Sequence, residues 1–200
     1  MAEFTIKTFD EKIHNIYIKG EVDEDMWSNL VDKINEIKSA DDDIADQNLA
    51  SLMSVGIEAE VVRPPINIYL CTYGGVIHDM LAIYDEIKKL SKQYVVNIYC
   101  VGKIMSAGTI IMLAVDLEHR FAYPNTTFMY HTLAGWAVGK MKDMEEDVEE
   151  SKRLHKLMWT IYKENTEIPE EKLDEIYKCK KDWYITAQQA KKYKIIHEIV

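Results

Sequence analysis

The chain has 200 residues, 34 acidic against 24 basic side chains, and a net charge of −10, which is the size of one domain able to bury a core without staples. The acidic surplus excludes a nucleic-acid binder, whose phosphate-binding face needs a cationic excess, and no apolar stretch is long enough to span a bilayer. Cys71, Cys100 and Cys179 are odd in number and lack metal-ligand spacing, and Met1–Phe4 has no signal-peptide character, so the chain is read as soluble and cytoplasmic, with no metal and no cofactor.

Phe4–Phe9 and His14–Gly20 alternate as strands do. Asp23 stands where it can cap a helix whose apolar positions are Trp27, Leu30, Val31, Ile34 and Ile37. From Ser39 the order weakens. Asp41-Asp42-Asp43 and Asp46 make this segment acidic and Pro64-Pro65 close it, so 39–65 is read as a long acidic connection with a short helix around Leu49–Met53. The acidic cluster is read as solvated surface.

Ile66–Cys71 reads as a strand, Thr72-Tyr73-Gly74-Gly75 as a turn, Val76–Lys92 as a helix with Ile77, Leu81, Tyr84, Ile87 and Leu90 on one face, and Val95–Val101 as the next strand. A strand, helix and strand at this spacing make a βαβ unit with parallel strands. Its turns then share the carboxyl edge of the sheet, where open α/β sheets bind ligands. Arg120–Tyr123 and Thr127–His131 are further β-like pieces around the turn Pro124-Asn125, and Ala134–Gly139 is a loop. A long charged helix covers 140–165, and a second runs from Glu170 to Tyr177. Asp182–Ile185 follows, Thr186 caps Ala187–Tyr193, and Ile195–Val200 ends the chain as a strand. The expectation is one α/β domain over residues 1–200.

Ser106 lies in Val101-Gly102-Lys103-Ile104-Met105-Ser106-Ala107-Gly108, between a strand and a helix-like run from Thr109 to Val115. A serine in such a turn is exposed beside the first free amides of a helix, which favour negative charge. A nucleophilic serine needs the same surroundings. It also needs a base. Of the six histidines, His14, His119, His155 and His197 read as surface or boundary residues. His78, after the Gly-Gly turn, and His131, at the end of an apolar strand, remain as candidates. Gly74-Gly75 has two readings, a plain tight turn or a backbone amide aimed at an oxyanion.

In combination these segments resemble the proteolytic subunit of Clp protease, ClpP. The resemblance rests on Asn67-Ile68-Tyr69-Leu70, Gly74-Gly75 and Ala82-Ile83-Tyr84-Asp85, then on Gly102 with Ser106-Ala107-Gly108. It continues through Arg120 with Pro124-Asn125, Met129-Tyr130-His131, and Lys181-Asp182-Trp183-Tyr184-Ile185-Thr186-Ala187 with Ala190 and Tyr193. It runs in family order from about residue 14 to the end.

The resemblance implies a crotonase/ClpP-like stack of ββα units with a protruding handle helix at 140–165. It implies Ser106 as nucleophile, His131 as general base, Asp182 as the carboxylate that orients it, and the Gly75 and Ala107 amides as oxyanion donors. Val76, Leu133 and Ala134 would flank a substrate peptide lying between them as an added strand. The activity implied is serine endopeptidase action on unfolded polypeptides or short peptides inside a homo-oligomeric chamber. That chamber would be a heptameric ring or stacked double ring, with an AAA+ unfoldase as partner. The alternatives weighed are an inactive ClpP-like ring subunit or scaffold and a crotonase-type acyl-CoA enzyme. The chain differs from the family in Thr72-Tyr73 for Ser-Pro, Thr132-Leu133 for Gln-Pro, Gly135-Trp136 for a glycine pair, a short segment before His14 and the long 39–65 segment. The first of these implies a turn that has lost proline stiffness.

Overall fold

A computed structural model describes residues 6–9, 13–54, 59–133, 140–179 and 181–200. Strand β1 (Ile6–Phe9) and strand β2 (His14–Val22) lead into helix α1 (Glu24–Ser54), after which strand β3 (Ala59–Val62) pairs in parallel with β1. Strand β4 (Ile66–Gly75), helix α2 (Ile77–Leu90) and strand β5 (Val96–Met105) form the expected βαβ unit, with β4 parallel to both β2 and β5. Short helix α3 (Ala107–Ile111) follows, then strands β6 (Arg120–Ala122) and β7 (Thr127–Tyr130). Helices α4 (Met141–Asn165) and α5 (Glu170–Cys179), strand β8 (Trp183–Thr186), helix α6 (Ala187–Lys192) and strand β9 (Glu198–Ile199) complete the chain.

The seven-stranded sheet has the order β2-β4-β5-β6-β9, with β7 and β8 off that path. Strand β5 explains the branching. Ile98–Cys100 pairs with β6, whereas Lys103–Met105 pairs with β7. Gly102, at φ +66°, lies where β5 leaves one partner for the other. Strand β7 then runs antiparallel to β8, so these two form an arm beyond the carboxyl end of the main sheet.

Alternation along the strands divides the sheet faces. Ile68, Leu70, Ile98 and Cys100 are buried and belong to the core under the helices. Burial pushes the Cys100 thiol far above its ordinary pKa. On the other face Tyr17, Tyr69, Tyr99 and Phe121 share one register, and successive rings stack at 5.2, 5.2 and 5.1 Å.

The acidic connection expected at 39–65 is instead mostly helix. The Met26 amide donates to Asp23 Oδ1 at 2.8 Å, which caps α1 as expected, but the helix then runs 31 residues. Its buried stripe passes from Leu30, Ile34 and Ile37 to Asp41 and Ala45. Asp41 keeps the helical period by pairing with His14, Nε2 to Oδ1 at 2.9 Å, so a carboxylate occupies a place the apolar pattern reserves for a hydrocarbon. No glycine or proline interrupts Ser39–Ser54.

Helix α4 has two different halves. Met141, Met144 and Val148 are exposed, whereas Leu154, Met158, Ile161 and Tyr162 are buried. Arg120, only 2 % exposed, fixes the base of this helix. Its guanidinium donates to the Val115 carbonyl at 2.8 Å and to the Asn165 carbonyl at 2.8 Å. Burial lowers its pKa, with the charge of Asp116 opposing that shift.

Candidate active site

Strand β5 runs directly into α3, and Ser106 is the joint between them at φ 52° and ψ −121°. An L-residue rarely holds a positive φ unless its surroundings impose it. Here the Ser106 amide donates to the Met129 carbonyl at 2.9 Å, which ties the joint to β7. The Ser106 carbonyl accepts the Thr109 amide at 2.9 Å and the Thr109 hydroxyl at 2.6 Å. A sharp strand-to-helix joint of this kind presents its side chain outward at the sheet edge.

The β5–β7 register sets Met105 opposite Met129. Ser106 lies one residue past Met105 and His131 two past Met129, and the two side chains meet, with His131 Nε2 2.7 Å from Ser106 Oγ. The other histidines lie elsewhere. His14 is held by Asp41, His119 Nδ1 by Asn97 Oδ1 at 2.9 Å, and His78 is exposed 3.9 Å from Glu150. His155 lies between Trp159 and Tyr177, and His197 is edge-on to Phe121.

The turn expected at Thr72–Gly75 is instead the end of β4, with Gly74 and Gly75 opposite Glu21 and Val22, and it approaches the serine more closely than its spacing suggests. Gly74 has φ +103°, and a Cβ placed there would stand 2.5 Å from Ser106 Cβ and 3.0 Å from the Ala107 nitrogen. At Gly75 an added Cβ would run into the backbone of Val22. The next amide, that of Val76, donates to the Val22 carbonyl at 2.7 Å. The turn is not left loose by lacking proline. The buried Thr72 hydroxyl donates to the Gly20 carbonyl at 2.6 Å and accepts the Gly74 amide at 2.9 Å, bracing the turn from both sides. Gly108 fits this threonine, since a Cβ there would stand 2.5 Å from Thr72 Cγ2.

Asp182 is not brought into hydrogen-bond contact. It is exposed and lines a depression of about 80 Å³ with Lys172, Glu175, Ile176, Lys181 and Trp183. Its backbone position is nevertheless informative. The antiparallel ladder of β7 and β8 ends at the pair Tyr130 and Trp183, and His131 and Asp182 are the residues next beyond it on the two strands. Continued by one step, that register would oppose them, at the Cβ separation of about 5 Å that lets an imidazole and a carboxylate meet. Of the expected groove residues, Val76 is exposed, Leu133 is half-buried against the core, and Ala134 lies outside the described residues. Among the described residues no group of three His, Cys, Asp or Glu side chains gathers as a metal site, and no helix is long and apolar enough to cross a membrane.

The family model of Clp protease matches residues 14–200. The chain belongs to the Clp protease family. It is 28% identical over 184 residues to the ATP-dependent Clp protease proteolytic subunit of Deinococcus radiodurans, covering 91% of this chain and 87% of that one. It is 32% identical over 159 residues to the subunit of the same name from Dehalococcoides mccartyi, covering 80% and 76%. A solved structure of a ClpP1 mutant from Listeria monocytogenes superimposes with a TM-score of 0.70 at 24% identity, over 94% of this chain and 91% of that one. The fold is therefore the ClpP-like α/β fold anticipated from the sequence, and the family supports a ClpP-like peptidase.

Three residues around the serine, Thr72, Thr109 and Tyr162, escaped sequence reasoning. Gly74 is already a candidate with Gly75 for an oxyanion turn, and its close approach to Ser106 adds that the site needs a bare Cα there. Thr109 and Tyr162 are 53 positions apart, yet their hydroxyl oxygens lie 2.7 Å from each other. No local pattern carries that contact.

Proposed function

We propose that this chain is a serine endopeptidase acting on unfolded polypeptides or short peptides within a homo-oligomeric chamber. The observation that carries the reading is the 2.7 Å contact between His131 Nε2 and Ser106 Oγ at a strained strand-to-helix joint. In this mechanism His131 Nε2 takes the Ser106 proton as Oγ attacks the peptide carbonyl. The oxyanion forms beside the Gly75 and Ala107 amides. His131 then gives the proton to the leaving amine, and a water molecule, activated in the same way, releases the acyl group. An imidazole accepting at Nε2 carries its proton on Nδ1, which requires an acceptor. Asp182 is that acceptor after a side-chain rotation toward His131, a move supported by the place of both residues just beyond the last β7–β8 pair. Val76, Leu133 and Ala134 flank the peptide.

Residues 1–200 act as one domain. The exposed Met141, Met144 and Val148 stripe of α4 supports a handle through which copies join as a ring or stacked double ring, with an AAA+ unfoldase delivering substrate. The cytoplasm is the compartment for such a particle. Ser106→Ala tests the reading: peptidase activity and labelling by a serine-reactive fluorophosphonate should both vanish, and persistence of either overturns it. The exposure of Asp182 favours one second reading, a ring subunit without turnover. Correctly assembled wild-type protein that fails to label would establish that alternative.

A further inference from the structure

We infer that Thr109 and Tyr162 are positioning residues for Ser106, joined as a two-hydroxyl relay that holds the serine carbonyl and thereby aims its Oγ at His131. The inference rests on the reading of Ser106 as nucleophile. Thr109 Oγ1 lies 2.6 Å from the Ser106 carbonyl oxygen and 2.7 Å from Tyr162 Oη. A hydroxyl has one proton, and a carbonyl can only accept. The Thr109 proton is therefore committed to Ser106, and the second bond must be donated by Tyr162. The direction of the relay is fixed: Tyr162 O–H to Thr109 Oγ, Thr109 O–H to Ser106 C=O.

Both members are suited to this. Thr109 is fully buried and Tyr162 nearly so. Burial drives the Tyr162 pKa far above its ordinary value, so the phenol keeps the proton it donates. The Tyr162 end is itself anchored. Its carbonyl accepts the Thr166 hydroxyl at 2.7 Å, and Arg120 grips Asn165 three residues further on. The ring stacks edge-on against Tyr130 at 5.4 Å, directly before His131.

The relay acts at the residue that needs it. Ser106 is held at φ 52°, where an L-residue does not rest unaided. The Ser106 amide is tied to Met129 on β7, the strand that ends one residue before His131. The carbonyl end is held through Thr109, by its amide and its hydroxyl. Removing the hydroxyl bond leaves the peptide plane after Ser106 held by the Thr109 amide alone, which loosens the backbone at the joint and with it the aim of Oγ at Nε2. A misplacement of about 1 Å in a reacting atom can cost up to about 10²-fold in rate.

The test uses full-length protein in its native assembly and three variants. Tyr162→Phe removes only the terminal hydroxyl, Thr109→Val replaces the threonine hydroxyl by a methyl, and Thr109→Ser keeps the hydroxyl and drops the methyl. Fluorophosphonate phosphonylation of Ser106, in which Oγ bonds to phosphorus and fluoride leaves, is resolved into its maximal rate and its half-saturation constant and measured beside peptide kcat and KM, particle mass and melting temperature. Expected are maximal phosphonylation rate and kcat lowered about tenfold in Tyr162→Phe and by at least that much in Thr109→Val, with KM and half-saturation unchanged and Thr109→Ser within about twofold of wild type. Wild-type rates in Tyr162→Phe and Thr109→Val overturn the assignment, as does a loss that only follows the folded or assembled fraction. Wild-type protein that is not phosphonylated at Ser106 overturns the peptidase reading and this assignment with it, whereas phosphonylated wild type with unaffected variants overturns this assignment alone.

Discussion

His131 Nε2 stands 2.7 Å from Ser106 Oγ although 25 residues separate them in sequence, and the pairing of β5 with β7 brings them together. The serine reaches outward from its joint and the imidazole meets it from the neighbouring strand end. Substituting the imidazole by a group of similar polarity that cannot shuttle a proton isolates its role. His131→Gln should lower peptide kcat by about 10³-fold or more with KM little changed and the melting temperature within a few degrees of wild type. Steady-state kinetics beside a thermal scan checks this. A variant retaining a tenth of wild-type kcat would remove His131 from the mechanism.

Asp182 poses the sharper question, because it and His131 both stand one residue beyond the β7–β8 ladder, yet it is exposed and not bonded to the imidazole. If it rotates in to accept the Nδ1 proton, Asp182→Asn should lower kcat by about 10²- to 10⁴-fold, since an amide stabilises the wrong tautomer and cannot balance an imidazolium. Fluorophosphonate labelling should slow in parallel. An Asn variant at wild-type kcat would mean that Ser106 and His131 work as a pair.

Gly74 is where the glycine turn meets the serine. An alanine methyl there would stand 2.5 Å from Ser106 Cβ, on a backbone at φ +103° that side chains rarely adopt. Neither neighbour can yield cheaply, because Ser106 is itself held at a positive φ and the Ala107 nitrogen is backbone. Gly74→Ala should destabilise the fold by about 1–3 kcal/mol and remove most labelling of the protein that still folds. Denaturant melts and labelling yield per folded molecule separate the two effects. Normal stability and labelling in this variant would show that the turn is not built against the serine.

The parts legible in the sequence were those with a local cause. Alternation made β4 and β5 readable, Gly74-Gly75 marked the strand end, and the position of Ser106 between an apolar strand and a helical run marked the joint. His131 was readable as a polar residue ending a buried strand. The continuation of α1 was not, because Asp41 fills a core position only by pairing with His14, 27 residues away. The branching of β5 between β6 and β7, the antiparallel pairing of β8 with β7 that ends one residue short of Asp182 and His131, and the Thr109–Tyr162 contact all depend on distant pairing. Thr72 supplies stiffness that the sequence associates with proline, and only its two hydrogen bonds reveal it. The expected loop Ala134–Gly139 lies outside the described residues.

His155 on α4 gives the fold a pH dependence of determined sign. Its ring is centred 4.3 Å from that of Trp159 and 4.0 Å from that of Tyr177 on α5. This partial burial lowers its pKa, with the charge of Asp174 opposing the shift. The unfolded chain, with a reference value of about 6.5, therefore takes up the proton more readily than the folded one. Where the unfolded state binds more protons, stability rises with pH. The contribution of His155 is thus fully present above about pH 6.5 and is lost as pH falls from there through the lowered folded value. Phenylalanine keeps an aromatic ring between Trp159 and Tyr177 without a titrating group. Urea unfolding of wild type and His155→Phe at a series of pH values should give curves that run together above about pH 7 and separate below about pH 6.5, with the variant losing less stability. A variant whose stability falls as steeply as wild type below that point would show that the imidazole packed on Trp159 and Tyr177 does not disfavour its proton.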